Sequence, residues 1–536
     1  MSRYLALSIV GALACGDDGG SGGGSGGGGR ATDDTTATDD GAATTLPEST
    51  TAADLDSSTD AGTSDSTSGA DSSTADGSEE SSSGDAAIEV SVTTYPHQPM
   101  VVDVSLTAED WSATVVSQAD PGVRATITAA ADGETQLRVR GLMPDTLHTL
   151  TWSVEGDQGQ FDVQTELPLP GFVPSFPVQG DATGLGGYLL FDLLSVSRMP
   201  PASVFAVDQA GITRWHLGEV AEVVGAATVY AAAQLRPDGS VLFNRNESIY
   251  IVDELGDEVL VLDPRMVGVQ GMHHDVVELD NGNFLTLAFT FRDIEYPDLG
   301  VVRVAGDLII EVTPDGDVVW EWDAFDHLDP QRRRPGFEGM IVDRETGEGA
   351  HDWTHSNGIV YEPATDSVLL SIRHQDWLVR IDRQTGAVLW RFGDGGDFTL
   401  ADGTWPYHQH SPQWQADDTL LLYDNGIANP NVDDALEASR AVRYVVDQDA
   451  MVVTQVWEDA ADDFMAPIAG DADRLADGTI LVTDSSIDFG VGASYARIRK
   501  VDEARPADPQ WSLTSAVGTF VYRCVVAPRL PGELPD

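Results

Sequence analysis

A short apolar strand behind a Gly or Asp turn recurs six times from residue 187 onward. Between these lies a second recurrent signature, a Gly turn with a large residue four places on, and helical periodicity is scarce throughout. Together the three observations predict an all-β chain whose main body, residues 171–536, is a six-bladed β-propeller.

The strand half of the repeat reads Gly187-Tyr188-Leu189, Asp238-Gly239-Ser240-Val241-Leu242, Asn281-Gly282-Asn283-Phe284-Leu285, Asp366-Ser367-Val368-Leu369, Asp418-Thr419-Leu420 and Asp477-Gly478-Thr479-Ile480-Leu481. The other half pairs Gly211 with Trp215, Gly256 with Leu260, Gly316 with Trp320 and Gly386 with Trp390, while Trp457 and Trp511 close the last two repeats less regularly. One such unit alone would leave apolar faces wet, so neighbouring units must stack around an axis. An open β-solenoid and a pair of sandwiches are the alternative all-β readings, and neither accounts for the paired signatures so well. The closing strand comes either from Phe520-Val521-Tyr522 or from the segment before the first blade.

Residues 87–170 form a separate module. Ile88 to Val92, Val102 to Leu106, Ala113 to Val115, Gln136 to Arg140 and Thr149 to Val154 alternate at period two, as half-buried strands do. Gly141-Leu142-Met143-Pro144-Asp145-Thr146 resembles the loop before the tyrosine corner of Ig/fibronectin-III-like sandwiches, with His148 near the usual Tyr position. A small β-sandwich serving as a spacer or partner-binding module is expected, and His97 and His148 are expected to be structural.

Upstream, residues 16–86 are almost entirely Gly, Ser, Thr, Asp and Ala, too polar to offset the entropy of ordering, and read as a disordered tether. Residues 1–15 carry Arg3, an apolar run from Tyr4 to Ala14 too short to span a bilayer, and then Cys15. Ala12-Leu13-Ala14-Cys15-Gly16 resembles the lipobox of bacterial lipoproteins, which implies cleavage before Cys15 and its acylation as a lipid anchor. Export to the cell envelope, on the outer membrane or the periplasmic face of a membrane, is the resulting expectation. An acylated Cys15 leaves Cys524 without an intrachain partner, so Cys524 is expected to be a small buried hydrophobe.

Charge narrows the partners. Lys+Arg number 29 against Asp+Glu 88, a net −59. Such a field repels polynucleotides and argues against a nucleic-acid partner.

Histidines gather in three segments, Met272-His273-His274-Asp275, Asp352-Trp353-Thr354-His355-Ser356-Asn357 and Tyr407-His408-Gln409-His410-Ser411-Pro412. His274, His355 and His410 stand at comparable places in blades three, four and five, at the start of the innermost strand. Innermost strands line the axial channel, so these three converge there. On a strand through Ser371-Ile372-Arg373-His374-Gln375, Arg373 shares the channel face with Ser371 and Gln375, and His374 is a packed neighbour on the other face. A guanidinium there presents a planar fork of donors suited to sulfate or phosphate oxygens.

From about residue 180 to 525 the chain resembles the bacterial PAPS-independent aryl sulfotransferases, six-bladed propellers preceded by a small β-domain. The matching features are His273-His274-Asp275, Asp326-His327-Leu328-Asp329, Asp352 to Asn357, Ser371 to Gln375, His410-Ser411 and Asp424-Asn425-Gly426. The resemblance implies that a phenolic sulfate donates its sulfuryl group to a channel histidine and that a phenol then accepts it. By that resemblance His410 matches the nucleophile, and His274, His355 and Arg373 match its assistants. His274 is preferred over His273 by its distance to the strand motif. His273, Asn357, His374 and Asn425 are expected to contact substrate or support the site, with Asp424 beside them in a turn. No cofactor and no metal is implied, and the cysteine pair of some family members is absent here.

A non-catalytic propeller lipoprotein that binds a ligand or envelope protein is the alternative reading. A metal site from His273, His274, Asp275 and the other channel histidines is a further one. Arg332-Arg333-Arg334 is expected to be a solvated surface loop, the alternative being an overhang of the channel mouth. Donor, acceptor and oligomeric state do not follow from the residues.

Overall fold

The computed structural model describes residues 89–535 apart from 107–115, 118–123, 130–134, 155–156, 169–170, 174, 196–201, 219–228, 434–436, 460–463 and 489–493. The expected signal, Cys15 and the expected tether therefore lie outside the described residues, as do Ile88 and the strand expected at 113–115. Within them the chain is all-β, with two one-turn α-helices, Pro264–Val267 and Ala324–His327.

The N-terminal module has two antiparallel sheets. One orders Val90–Thr94, Val102–Leu106, Thr135–Arg140 and Arg124–Ala129, and the other Val116–Ser117, Leu147–Val154 and Asp157–Gln164. Alternate residues Val102, Val104, Leu137, Val139, Leu150, Trp152 and Val163 form its core, as period-two strands require. His148 is buried, its ring Nε2 3.1 Å from the Met143 carbonyl, whereas His97 is exposed in a turn. The module is tied to the sheets C-terminal to it. Gln98 donates to the His216 carbonyl at 2.8 Å, Arg214 donates to the Gly141 carbonyl at 3.0 Å, and Met100 enters a core with Phe172, Phe176 and Phe205.

The described residues of 178–527 make six sheets in succession, antiparallel within the repeat, and three of them are extended by strands from outside it, Glu348–Asp352 and Thr399–Asp402 joining in parallel. The innermost strands of the second to sixth sheets are Tyr230–Leu235, Met272–Glu278, Ser356–Glu362, His410–Trp414 and Asp471–Arg474, and each packs on the next. The first sheet runs Thr213–Gly218, Ser203–Val207, Tyr188–Ser195, Thr519–Ala527, so its innermost strand is the last of the chain. That strand packs against both Asp471–Arg474 and Tyr230–Leu235, which completes the circuit. Val178–Gly180 meanwhile pairs at the opposite edge of the sixth sheet, against Trp511–Thr514. Of the two segments left open by the sequence, Phe520-Val521-Tyr522 joins the first sheet and Val178–Gly180 the sixth.

Each neighbouring pair of sheets encloses its own apolar core. Strand Ser367–Ile372 shows why: Val368 and Leu370 face the third sheet with Leu287 and Ile309, while Leu369 faces the fifth with Leu420 and Leu422. Both faces are buried, so such strands are nearly continuous hydrophobic runs. The repeat tryptophans add a polar latch at the outer strands. The Trp215 indole donates to the Glu254 carbonyl of the second sheet at 2.8 Å, and Trp320 to the Arg383 carbonyl of the fourth at 2.9 Å. Trp390 reaches Gln448 of the fifth at 3.0 Å, Trp457 the Glu503 carbonyl of the sixth at 3.2 Å, and Trp511 the Gln209 carbonyl of the first at 3.2 Å. These are packing residues, as the repeat predicts, and each satisfies its one N–H across a sheet boundary. Cys524 is free and buried.

Candidate active site

The inner strands are irregular where the histidines sit. Pairing slips between His273 and Val276, between Ser356 and Gly358, and between His410 and Gln413. His274, His355, His408 and Ser411 take φ values of 59°, 50°, 58° and 46°. Left-handed non-glycine residues cost of order 1 kcal/mol each and mark places where packing over-determines the backbone. Bulges of this kind re-aim side chains at sheet edges.

The result is a row of imidazoles, buried except for the slightly exposed His355. His274 meets His355 with ring centroids 4.9 Å apart, His355 stacks on His374 at 4.6 Å, and His374 lies 5.7 Å from His408. Tyr522, on strand Thr519–Ala527, stands between His274 at 5.9 Å and His410 at 6.2 Å. His273 is displaced from this row: its ring stacks on Phe289 at 4.1 Å and its Nδ1 lies 2.7 Å from that of His274.

Hydrogen bonds fix several protons without recourse to hydrogen positions. The amide of Asn425 donates to the carbonyls of Ala466 and Ala469 at 2.7 and 2.8 Å, so its oxygen must face His410. At 2.6 Å that oxygen can only accept, which places the proton on His410 Nδ1 and leaves the lone pair on Nε2. The Asp352 carboxylate likewise accepts from His355 Nδ1 at 2.6 Å. Asn425, expected to contact substrate or support the site, is thus the residue that sets the tautomer of His410.

Arg373 requires a correction. Strand Ser367–Ile372 ends before it, and Arg373–Gln375 form a single 3₁₀ turn closed by Asp376 at φ 52°. The hairpin has to reverse here, so the strand alternation that assigned Arg373 and His374 to opposite faces does not extend this far. Both side chains enter the cluster. Arg373 donates to His374 Nε2 at 2.7 Å and to the Pro467 carbonyl at 3.3 Å, while His374 Nδ1 lies 2.9 Å from the Asp352 carbonyl oxygen. His374 is therefore held neutral as a brace for Arg373, not packed away from it.

The arginine loop is also not a solvated loop. Arg332 donates to the Gln375 carbonyl and side chain at 2.8 Å and lies 3.8 Å over the Trp377 ring. Arg334 donates to Asp376 through Nε at 2.9 Å and Nη2 at 2.7 Å. Gly336, at φ 108°, abuts His374 so closely that a Cβ would stand 2.5 Å from the ring. Buried Asp376 attracts the loop, and only Arg333 turns outward to Asp298. His327, by contrast, stacks on Trp322 at 4.8 Å.

Burial dominates the electrostatics. It pushes His410 well below the ordinary histidine range, with Arg373 and His355 adding repulsion and Asn425 opposing. His274 falls well below for the same first cause, then through His273, His355, His410 and Arg373. Arg373 is lowered by burial to about 10, against the pull of Asp352 and Asp376, so it keeps its charge at neutral pH. Asp352 would be raised by burial, but His355, His374 and Arg373 hold it at about 2. Burial raises the Tyr522 phenol well above its usual value. The site thus offers a neutral imidazole base beside a fixed guanidinium, away from bulk water.

Asp352, His355 and His374 could each offer one ligand atom to a metal within 4.8 Å of one another. This differs from the set His273, His274 and Asp275, since Asp275 is engaged by Arg523 at 2.9 and 3.2 Å. It is also a poor fit for a cation, because Arg373 donates to His374 Nε2, which leaves the proton on Nδ1, the nitrogen that faces Asp352. Asn357 donates to the Gln409 carbonyl at 2.8 Å and accepts from the Tyr522 hydroxyl at 3.2 Å through its own carbonyl, joining three sheets. Sequence reasoning gave no role to Tyr522, Asp352, Asp376 or His408. Asp352 and His408 lie inside the histidine segments, and their proximity to the named residues was the available signal.

Residues 186–523 match the family model described as Arylsulfotransferase (ASST). Two curated relatives are an arylsulfate sulfotransferase AssT of Escherichia coli and one of Lelliottia amnigena. The first is 26% identical over 376 residues, covering 59% of this chain and 60% of the relative. The second is 26% identical over 388 residues, covering 60% and 63%. The matched region therefore spans about three-fifths of the length of these relatives. Among solved structures, a Bacteroides caccae protein of unknown function aligns over 63% of this chain and 99% of its own, at 12% identity and a TM-score of 0.39.

Proposed function

We propose, on the premise that the chain belongs to the arylsulfotransferase family, that it transfers a sulfuryl group from a phenolic sulfate ester to a phenolic acceptor through a sulfohistidine at His410. The observation that carries this reading is the Asn425–His410 bond, which leaves the His410 Nε2 lone pair in a buried site beside Arg373.

In the first step His410 Nε2 attacks sulfur, the bond from sulfur to the phenolic oxygen breaks, and that oxygen leaves with the electron pair. Arg373 stabilises the charge spreading over the sulfuryl oxygens, held in place by His374. His355, oriented by Asp352, supplies a proton to the departing oxygen when the phenol needs one. His274, beside His355 and Tyr522, completes the wall around the reacting groups. In the second step the acceptor oxygen attacks sulfur as its proton passes to a neighbouring imidazole, the bond to Nε2 breaks, and His410 is restored.

The six sheets are the blades of a six-bladed propeller in this reading, supported by the circuit of inner strands and by the Trp511 latch from the sixth sheet to the first. Residues 87–170 are its Ig-like companion. The chain is exported and lipid-anchored at Cys15 to the bacterial cell envelope, with 16–86 as tether, on the strength of the lipobox resemblance.

A chromogenic aryl sulfate with a phenol acceptor, and without nucleotide or added metal, tests the activity. Turnover by the wild type that disappears in His410→Ala is the expected result. Absence of turnover, or equal turnover in the variant, contradicts the reading.

A further inference from the structure

We propose that His408 is a second proton-transfer residue of the site, and that it takes the proton of the acceptor phenol. The inference rests on the sulfotransferase reading and goes beyond it by dividing the two half-reactions between two imidazole–carboxylate pairs.

His408 repeats the arrangement of His355 on the other side of His374. Its Nδ1 lies 3.0 Å from Asp376 Oδ1, and its backbone N–H donates to the same oxygen at 2.9 Å. A carboxylate only accepts, so Nδ1 carries the hydrogen and Nε2 the lone pair. Asp376 is held in turn by Arg334 at 2.9 and 2.7 Å, so the pair is anchored from the arginine loop. His408 and Asp376 are both buried, and the His408 ring lies 5.7 Å from that of His374. A buried His–Asp pair that fixes the tautomer of a ring, here next to the histidine that braces Arg373, is the arrangement general-base catalysis uses.

Chemistry gives the pair a task. Sulfation of His410 needs an acid for the leaving oxygen, and regeneration needs a base for the incoming hydroxyl. As the acceptor O–S bond forms and the N–S bond to His410 breaks, the phenolic O–H proton passes to His408 Nε2. His408 then releases it to solvent, from which His355 is reprotonated. Protons and electron pairs balance over the cycle.

Rapid-mixing kinetics separates the steps. The donor 4-nitrophenyl sulfate gives a burst of nitrophenolate that reports sulfation, and graded phenols report transfer. In His408→Gln, transfer to a phenol that is neutral at the assay pH is expected to slow about 100-fold. The burst should slow far less, and the transfer deficit should shrink for acceptors already ionised. Asp376→Asn should reproduce this selectivity in smaller measure, and it carries the test if His408→Gln fails to fold. Equal slowing of both half-reactions, or a deficit independent of acceptor ionisation, overturns the proposal. A wild type with no His410-dependent burst instead overturns the sulfotransferase reading beneath it.

Discussion

The outer and inner edges of the six sheets solve opposite problems with the same repeat. At the outer edge, a Gly turn and a tryptophan recur at fixed spacing, and each indole makes one neutral hydrogen bond to the neighbouring sheet. At the inner edge the ladder is broken by bulges and left-handed histidines, and the buried groups carry charge. Regularity at the outer edge joins each sheet to the next, and departure from regularity at the inner edge gathers the histidines on which the proposed reaction depends. The backbone strain at the centre is tolerable because six apolar cores enclose it.

A crossed pair of variants sharpens the contrast. Arg373→Lys is expected to lower turnover about 100-fold or more with little change in melting temperature, since an ammonium cannot both brace on His374 and span sulfuryl oxygens. Trp390→Phe is expected to cost about 1–2 kcal/mol of stability, through the lost bond to Gln448 and lost packing, with kcat/KM unchanged. Denaturant melts and steady-state kinetics on both variants read this out. If Trp390→Phe cuts kcat/KM as deeply as Arg373→Lys does, the division between rim and centre fails.

Acid titration offers a smaller test within the centre itself. His274, His374 and His410 have folded pKa values below the unfolded value, so on acidification from about 6.5 the unfolded chain gains protons that the folded one refuses. Their contribution to stability is present above that value and is lost as the pH falls. Asp192, beneath Tyr522 and Arg523, has the opposite sign: burial raises it to about 7, with the Tyr522 and Arg523 amides opposing. Its contribution is present at low pH and lost as the pH rises through about 7. Asp192→Asn should therefore lose about 1–2 kcal/mol more than the wild type between pH 7.5 and 5.5, measured by urea midpoints. An equal loss in the two proteins would remove Asp192 as the counterweight.

Much of this was legible in the sequence because repeats convert position into geometry. The turn signatures located the inner strands, and with them His274, His355 and His410, although no two of these are close in the chain. The tryptophans were legible for the same reason. Local alternation served less well, since it carried Arg373 and His374 along a strand that in fact ends at Ile372. Charge pattern misled at Arg332 and Arg334, whose partners Gln375 and Asp376 lie some forty residues away. Tyr522 is the sharpest case: it enters the site only because the last strand of the chain returns to the first sheet.

The central claim is that His410, in the tautomer set by Asn425, carries the sulfuryl group. Mixing the protein with aryl sulfate alone, quenching in alkali and mapping peptides by mass spectrometry tests it directly. One sulfuryl adduct is predicted on the peptide holding His410, discharged when a phenol is added before the quench. An adduct on another residue, or turnover with no adduct at His410, would contradict it.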